Sequence, residues 1–159
     1  MRAPAKAASS WSRFLLSWPP RRNRSGLCRP VQDAALQRVL VIDDNAEATL
    51  AIQQMLQITG HSCVVAYDGL EGLAAARLAR PDLALVDIGL PLLDGFGVAR
   101  ELRRLFGHGM LIIAMSGYSA PEIKARAQQE GFDDFLVKPV ALNALLERLA
   151  KLTDANAGR

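Results

Sequence analysis

The stretch LALVDIGLPLLDG at residues 83–95 decides the fold of this chain. It opens on four apolar residues in a row, and turn-forming Gly and Pro residues follow. A short apolar run with such boundaries predicts a strand buried on both faces, here over residues 82–86, as in parallel sheets. Asp87 then lies at the carboxyl end of that strand, where open α/β sheets place their ligand crevices.

Three further apolar runs also end in polar residues. They predict strands over 38–42, 110–115 and 134–137. The polar residues that follow are Asp43 and Asp44, then Ser116 with Gly117, and finally Lys138. Because parallel strands end at one edge of a sheet, we expect these side chains to meet Asp87 in a single site.

Strand and helix patterns alternate five times from Arg38 onward. A fifth strand is predicted over 62–66, and helices are predicted over 46–59, 69–79, 95–106, 120–130 and 142–152. Five such repeats require a parallel sheet with right-handed crossovers and helices on both faces. In roughly 115 residues this indicates an α/β fold, a flavodoxin-like (βα)5 doubly wound sheet with strand order 2-1-3-4-5.

Capping residues support the predicted helix starts. Asn45 and Asp94 are predicted N-caps of the first and third helices. Ser119 and Glu122 have the spacing of a capping box, which places the fourth helix start at Ala120.

The charge of the chain is unevenly distributed. The formal net charge is +3, but residues 1–38 contain eight Lys or Arg and one acidic residue, so the remainder carries −4. Residues 1–37 lack sustained periodicity, and we expect a disordered or wrongly assigned extension. An arm that contacts a membrane surface or nucleic acid is the alternative. We expect the domain to span 38–152 and a tail to span 153–159.

Other composition features exclude several protein classes. Cys28 and Cys63 are too few for a disulfide framework, and Cys63 is expected to be a buried thiol. His61 and His108 lack partners at metal-ligand spacing, so we expect both on the surface. No stretch approaches the ~20 apolar residues of a membrane helix. We therefore expect a cytoplasmic protein.

The predicted site has the composition of a phosphoryl-transfer centre. Three neighbouring carboxylates repel one another, and a hard divalent cation such as Mg²⁺ is the simplest compensation. A carboxylate beside such a cation can act as a nucleophile towards phosphorus. Lys138 and Ser116 are then placed to contact the phosphoryl oxygens.

Residues 38–152 resemble the receiver domain of two-component response regulators. The resemblance rests on VLVIDDN at 39–45, DIGLPLLDG at 87–95, MSG at 115–117 and FLVKP at 135–139. It implies that Asp87 accepts a phosphoryl group from a histidine of a partner kinase or phosphotransfer protein. It also implies that Asp43, Asp44, Asp87 and the backbone carbonyl of Gly89 hold Mg²⁺.

The resemblance further implies a conformational switch. Ser116 would be the switch hydroxyl, and Phe135 the aromatic residue that turns inward and re-forms the face of the fourth helix, fifth strand and fifth helix. Ser116 stands where threonine is frequent, and Phe135 where tyrosine is usual. Gly89 and Tyr118 occupy positions that influence phosphoryl-group lifetime, and we expect Tyr118 to shield the acyl phosphate.

The loops most resemble receivers at the carboxyl terminus of hybrid histidine kinases. We therefore expect a stand-alone or relay receiver that is monomeric, has no DNA-binding domain and acts on a downstream protein that the sequence does not name. We expect slow self-phosphorylation and dephosphorylation rather than an enzyme activity.

Two alternatives belong to other functional classes. A phosphate-independent interaction module would have the same fold, although the intact set of site residues argues against it. A phosphohydrolase with an aspartyl nucleophile is disfavoured because Gly89, not a second carboxylate, lies two residues after Asp87.

Overall fold

The computed structural model describes residues 37–157, with side chains described as far as residue 151. The strands are β1 (Arg38–Ile42), β2 (Ser62–Ala66), β3 (Leu83–Asp87), β4 (Leu111–Ser116) and β5 (Asp134–Val137). The α-helices are α1 (Ala46–Ile58), α2 (Gly69–Ala79), α3 (Gly95–Phe106), α4 (Pro121–Gln129) and α5 (Leu142–Ala157). The predicted extension over 1–37, with Cys28, lies outside the described residues apart from Gln37.

The strands form one parallel sheet in the order β2-β1-β3-β4-β5. This confirms the predicted order 2-1-3-4-5 and the flavodoxin-like α/β fold. The order reverses between β1 and β3, where Ile42 pairs with Val86. The connections that leave β1 and β3 run in opposite directions. The loops after these two strands therefore diverge and leave a crevice between them.

Each face of the sheet packs against its own layer of helices. Side chains alternate along β1, so Leu40 and Ile42 join a cluster with α2 and α3 residues. Val39 and Val41 instead join a cluster on the opposite face that includes Ile52 of α1. The residues of α5 in that second cluster are Leu145 and Leu149. Burial on both faces explains why the strands read as unbroken apolar runs.

Several predicted boundaries are corrected by the structure. The first and third helices are capped as predicted, by Asn45 and Asp94. The capping box at Ser119 is wrong, because α4 begins at Pro121 and its N-cap is Ala120, without a side-chain hydrogen bond. Proline favours the first helical position, where its missing N–H costs nothing. The final helix continues to Ala157 rather than ending near Leu152.

The remaining composition predictions have mixed outcomes. Cys63 is a buried free thiol, as predicted, and burial raises the pKa of its thiol to about 12. His108 is exposed, but His61 is half-buried, and its Nδ1 accepts a hydrogen bond from the Gln37 backbone N–H at 3.1 Å. Among the described residues, no helix is both long and apolar enough to cross a membrane.

Candidate functional site

The carboxyl ends of the two central strands bring Asp43 and Asp87 together. Asp87 is the last residue of β3, one position later than the predicted strand end, and Asp43 follows β1 directly. The pairing of Ile42 with Val86 sets the two carboxylates side by side. Asp43 is fully buried, while 11% of the Asp87 side chain remains exposed. Of these two carboxylates, Asp87 is therefore the one with access to solvent.

Lys138 follows the edge strand β5, and its side chain reaches both carboxylates. Its Nζ lies 2.5 Å from Asp43 Oδ2 and 3.1 Å from Asp87 Oδ2. The backbone positions this side chain, because Val137 pairs with Ser116 and the Lys138 N–H donates to the Ser116 carbonyl at 2.8 Å. The ammonium group thus balances two neighbouring negative charges with one positive charge.

The pKa values of Asp87 and Lys138 are both raised in this site. Burial raises the pKa of Asp87, the Gly89 N–H and Lys138 oppose that rise, and the charge of Asp43 adds to it. For Lys138, burial lowers the pKa, but the hydrogen bonds to Asp43 and Asp87 outweigh it and the net pKa is raised. The raised pKa keeps the lysine charged, and for Asp87 the lysine only partly offsets the effect of burial, which raises its pKa.

Three carboxylates at this edge have the arrangement of a cation site. Asp43, Asp44 and Asp87 each offer an oxygen, and these oxygens lie within 4.8 Å of one another. Asp43 also accepts from the Asn45 N–H at 2.9 Å. Each carboxylate oxygen has two lone pairs, so the existing hydrogen bonds leave capacity for a metal. An all-oxygen set with an exposed member, Asp44, fits a hard cation that retains water.

The loop after β3 follows the Asp87 side chain closely. The Gly89 N–H donates to Asp87 Oδ1 at 3.1 Å, and Gly89 itself is exposed. At Gly95 a Cβ would lie 2.3 Å from the Asp87 carbonyl oxygen, so α3 starts against the backbone of the site. Leu92, in the same loop, has a φ of +66°.

The remaining predicted residues lie on the β4 and β5 side. Ser116 is the last residue of β4, is buried, and accepts from the Tyr118 N–H at 3.1 Å through its hydroxyl. Tyr118 has a side chain that is 76% exposed. Phe135 lies on β5, half-buried against the cluster that contains Leu40. A Cβ at Gly117 would meet nothing within 4 Å, so the backbone there is open to approach.

Sequence reasoning missed two features of this site. It placed Lys138 near a phosphoryl group but not in direct contact with Asp43, a pairing across 95 positions of sequence that no local pattern reveals. It also left Gly95 without a structural role, although a glycine directly after the N-cap Asp94 could have suggested a close backbone approach.

Comparison with known proteins gives the same result from sequence and from structure. The family model of the response regulator receiver domain matches residues 39–150. The transcriptional regulatory protein PrrA of Mycobacterium tuberculosis is 34% identical over 115 residues, which are 72% of this chain and 49% of that protein. This chain therefore spans about half the length of the curated relatives it matches.

Solved structures of similar fold include a receiver domain protein and a chemotaxis protein. The CheY-like receiver domain protein of Methanospirillum hungatei has a TM-score of 0.72 and 30% identity, covering 78% of this chain and 98% of its own. The chemotaxis protein CheY4 of Vibrio cholerae has a TM-score of 0.70 and 29% identity, covering 74% and 99%. With the family match across most of the chain, these findings show that it belongs to the response regulator receiver domain family of two-component systems.

Proposed function

We propose that this domain is a phosphoacceptor that takes a phosphoryl group from a phosphohistidine onto Asp87. An Asp87 carboxylate oxygen attacks phosphorus and forms the new O–P bond while the P–N bond breaks. The electron pair of that bond returns to the imidazole nitrogen of the donor, and the ring leaves as neutral imidazole because its other nitrogen carries a proton. The contact that carries this proposal is the 3.1 Å approach of Lys138 Nζ to Asp87, at the open end of the central strand.

The contacts of the three carboxylates favour Asp87 as the nucleophile. Asp43 and Asp87 each accept from one backbone N–H and contact Lys138, but Asp43 is fully buried whereas 11% of the Asp87 side chain is exposed. Asp44 is exposed, and the ion pairs of Lys138 go to the other two carboxylates. Asp87 alone of the three combines partial exposure with a cation beside its oxygen.

Asp43, Asp44 and Asp87, with the backbone carbonyl of Gly89, would hold Mg²⁺. The bound cation would neutralise the clustered carboxylates and the charge of the incoming phosphoryl oxygens. Lys138 supplies a second positive charge and stays protonated, because its pKa is raised by its two carboxylate partners. Ser116 provides a hydroxyl on the adjoining strand that can donate to a phosphoryl oxygen.

Ser116 and Phe135 connect the phosphorylation site to the α4-β5-α5 face. A new phosphoryl group adds charge and strong acceptors beside Ser116, and its hydroxyl moves towards them. That movement leaves space that the half-buried Phe135 ring can enter. The local change in charge thereby biases a two-state element on the partner-binding face.

Gly89 and Tyr118 flank the acceptor and are proposed to set the lifetime of the acyl phosphate. Tyr118 is exposed in this structure, so its ring is free to fold over a group bound at Asp87. We expect Tyr118→Ala to shorten the half-life of the phosphorylated protein several-fold, measured by intact mass against time after donor removal. An unchanged half-life would contradict this role.

The decisive experiment is phosphorylation by a small phosphodonor. Wild type with acetyl phosphate and Mg²⁺ should gain one phosphoryl group by intact-mass spectrometry, while Asp87→Asn and wild type in excess EDTA should gain none. No adduct in wild type would leave a phosphate-independent interaction module. Multiple turnover of small phosphate esters would instead indicate the aspartyl phosphohydrolase.

The biological setting is proposed from the family and from the loop sequences of this chain. Residues 38–152 would act as one receiver unit that accepts phosphate from a histidine kinase or a histidine phosphotransfer protein in the cytoplasm. A hybrid-kinase relay is the setting that the loop sequences favour. A monomeric state and action on a downstream protein that the sequence does not name stay predictions.

A further inference from the structure

Helix α4 (Pro121–Gln129) is weakly held by apolar packing. Every residue of α4 is described by the structure, and Ala127 is the only one of them that is buried. By comparison, α1 buries three residues and α3 buries six. The N-cap of α4, Ala120, offers no side-chain acceptor to the first backbone amides. Packing of an apolar face supplies most of the stability of a protein helix, so α4 depends on other contacts to stay docked.

Three charged side chains of the α4 segment supply those contacts. The guanidinium carbon of Arg126 lies 4.2 Å from the ring centroid of Phe96 on α3. Lys124 Nζ lies 5.7 Å from the ring centroid of Phe135 on β5. Glu130, the C-cap of α4, accepts from Arg100 Nη1 of α3 at 3.0 Å.

The aromatic partners are anchored on elements other than α4. Phe96 is buried and meets Phe132 edge to face, with centroids 6.1 Å apart and an interplanar angle of 82°. Phe135 is half-buried against the core. A cation on each ring therefore fixes α4 at two separate places, against α3 and against β5.

We propose that Lys124, Arg126 and Glu130 form an electrostatic latch that holds α4 in place, and that Lys124 is a positioning residue for Phe135. The proposal that these contacts hold α4 in the unphosphorylated protein does not depend on the proposed function. Its effect on switching rests on the proposed function: Phe135 must leave Lys124 to turn inward, so the latch opposes the switched state until Asp87 is phosphorylated. Charge contacts suit this role because they are individually weak and can be broken without opening the core.

Hydrogen–deuterium exchange of the unphosphorylated protein tests the latch. Lys124→Gln and Arg126→Gln remove the charge and keep a residue of similar helix propensity. Each should speed exchange of the α4 amides about two- to fivefold, the factor expected from losing one exposed cation–π contact. Arg104→Gln is the matched control, because it removes an ion pair to Glu101 within α3 and should leave α4 exchange unchanged.

Salt separates a latch from an ordinary structural role. Raising the salt concentration should speed α4 exchange in wild type, because screening weakens charge contacts, and should have a smaller effect in the Lys124→Gln/Arg126→Gln double variant. Unchanged α4 exchange in both single variants would overturn the proposal. An equal rise across the whole domain would overturn it too, since the side chains would then support the entire fold.

A second measurement addresses switching. Phosphorylated wild type should show faster α4 exchange than unphosphorylated wild type, and phosphorylation should add little in the double variant, whose α4 is already released. A full further increase in the double variant would contradict the link between latch and switch. If Asp87 accepts no phosphoryl group, the proposed function fails, while the exchange and salt measurements still decide the latch.

Discussion

At the scale of single residues, the site is defined by a charge imbalance. Two adjacent carboxylates, Asp43 and Asp87, share the single ammonium of Lys138. Each carboxylate accepts from one backbone N–H, of Asn45 or of Gly89, and Asp43 has the shorter contact to Lys138. Burial raises the pKa of Asp87, with a smaller contribution from the charge of Asp43, so the ionised form of Asp87 carries an electrostatic cost that Gly89 and Lys138 only partly offset. Binding of a cation beside Asp87, or conversion of its carboxylate to a neutral form, would lower this electrostatic cost.

The first prediction concerns the stability cost of ionised Asp87. A carboxyl whose pKa is raised by folding favours the folded state when protonated, and this stability is lost as the pH rises through the folded-state pKa. Asp87→Asn should therefore raise the melting temperature by about 3–6 °C near neutral pH without Mg²⁺. The difference should shrink towards about pH 4, as wild-type Asp87 also becomes neutral.

Two controls accompany this melting experiment. Asp44→Asn changes an exposed carboxylate of the same cluster and should shift the melting temperature less. Added Mg²⁺ should stabilise wild type by mass action, and less so either variant, because each lacks a carboxylate ligand. If Asp87→Asn melts lower than wild type, the contact with Lys138 outweighs the burial of Asp87.

At the scale of elements, the acceptor loop is shaped by a close approach between α3 and β3. The first residue of α3, Gly95, lies where a Cβ would be 2.3 Å from the Asp87 carbonyl oxygen and 2.7 Å from Ile88 Cα. The Gly95 N–H also donates to the Ile88 carbonyl at 3.2 Å. Both neighbours are backbone atoms, which cannot rotate aside as a flexible side chain could.

The second prediction follows from this contact. Gly95→Ala should destabilise the domain by about 2–4 kcal/mol in urea unfolding, because the added methyl group forces the backbone of the acceptor loop to move. The same displacement should reduce phosphoryl labelling of Asp87. Gly117→Ala, at a glycine of the same edge with open space around it, should stay within about 0.5 kcal/mol of wild type. Equal effects of both changes would show that the close approach does not limit the loop.

At the scale of the whole molecule, Arg103 joins segments that are distant in sequence. Its Nε donates to the Gly131 carbonyl at 2.7 Å, and its Nη1 donates to the Met110 and Gly107 carbonyls at 2.7 and 2.8 Å. Its Nη2 pairs with Asp133, whose carboxylate also accepts from the Ile112 N–H. One guanidinium thereby fastens α3, the start of β4 and the connection into β5.

The third prediction tests this role of Arg103. Arg103→Met keeps much of the aliphatic stem and removes the donors, leaving several carbonyls and the Asp133 carboxylate without their partner. We expect a loss of about 2–4 kcal/mol in urea unfolding. Arg104→Met is the neighbouring control, with an exposed pair to Glu101 that should contribute little. A loss no larger than that of the control would mean that water replaces the Arg103 donors.

The fold was predictable because its signals are local and repeated. Each buried strand is a short apolar run, each helix follows at regular spacing, and Asn45 and Asp94 mark two helix starts correctly. The errors lie at boundaries. The Ser119 spacing misplaces the start of α4, because Pro121 occupies the first helical position and Ala120 is the N-cap. The end of α5 was placed too early, since hydrophobic periodicity stops before the backbone hydrogen bonds do.

By itself, the sequence determined the fold class, the strand order and the set of residues gathered at one edge of the sheet, because periodicity and strand-end position are properties of neighbouring residues. Only the tertiary structure decided which of these residues contact one another. Lys138 pairs with Asp43 as well as Asp87, and Gly95 lies against the backbone of Asp87. Helix α4 packs its cationic side chains on aromatic rings of α3 and β5. These contacts join residues far apart in the chain. Their partners depend on packing distances that no local pattern encodes.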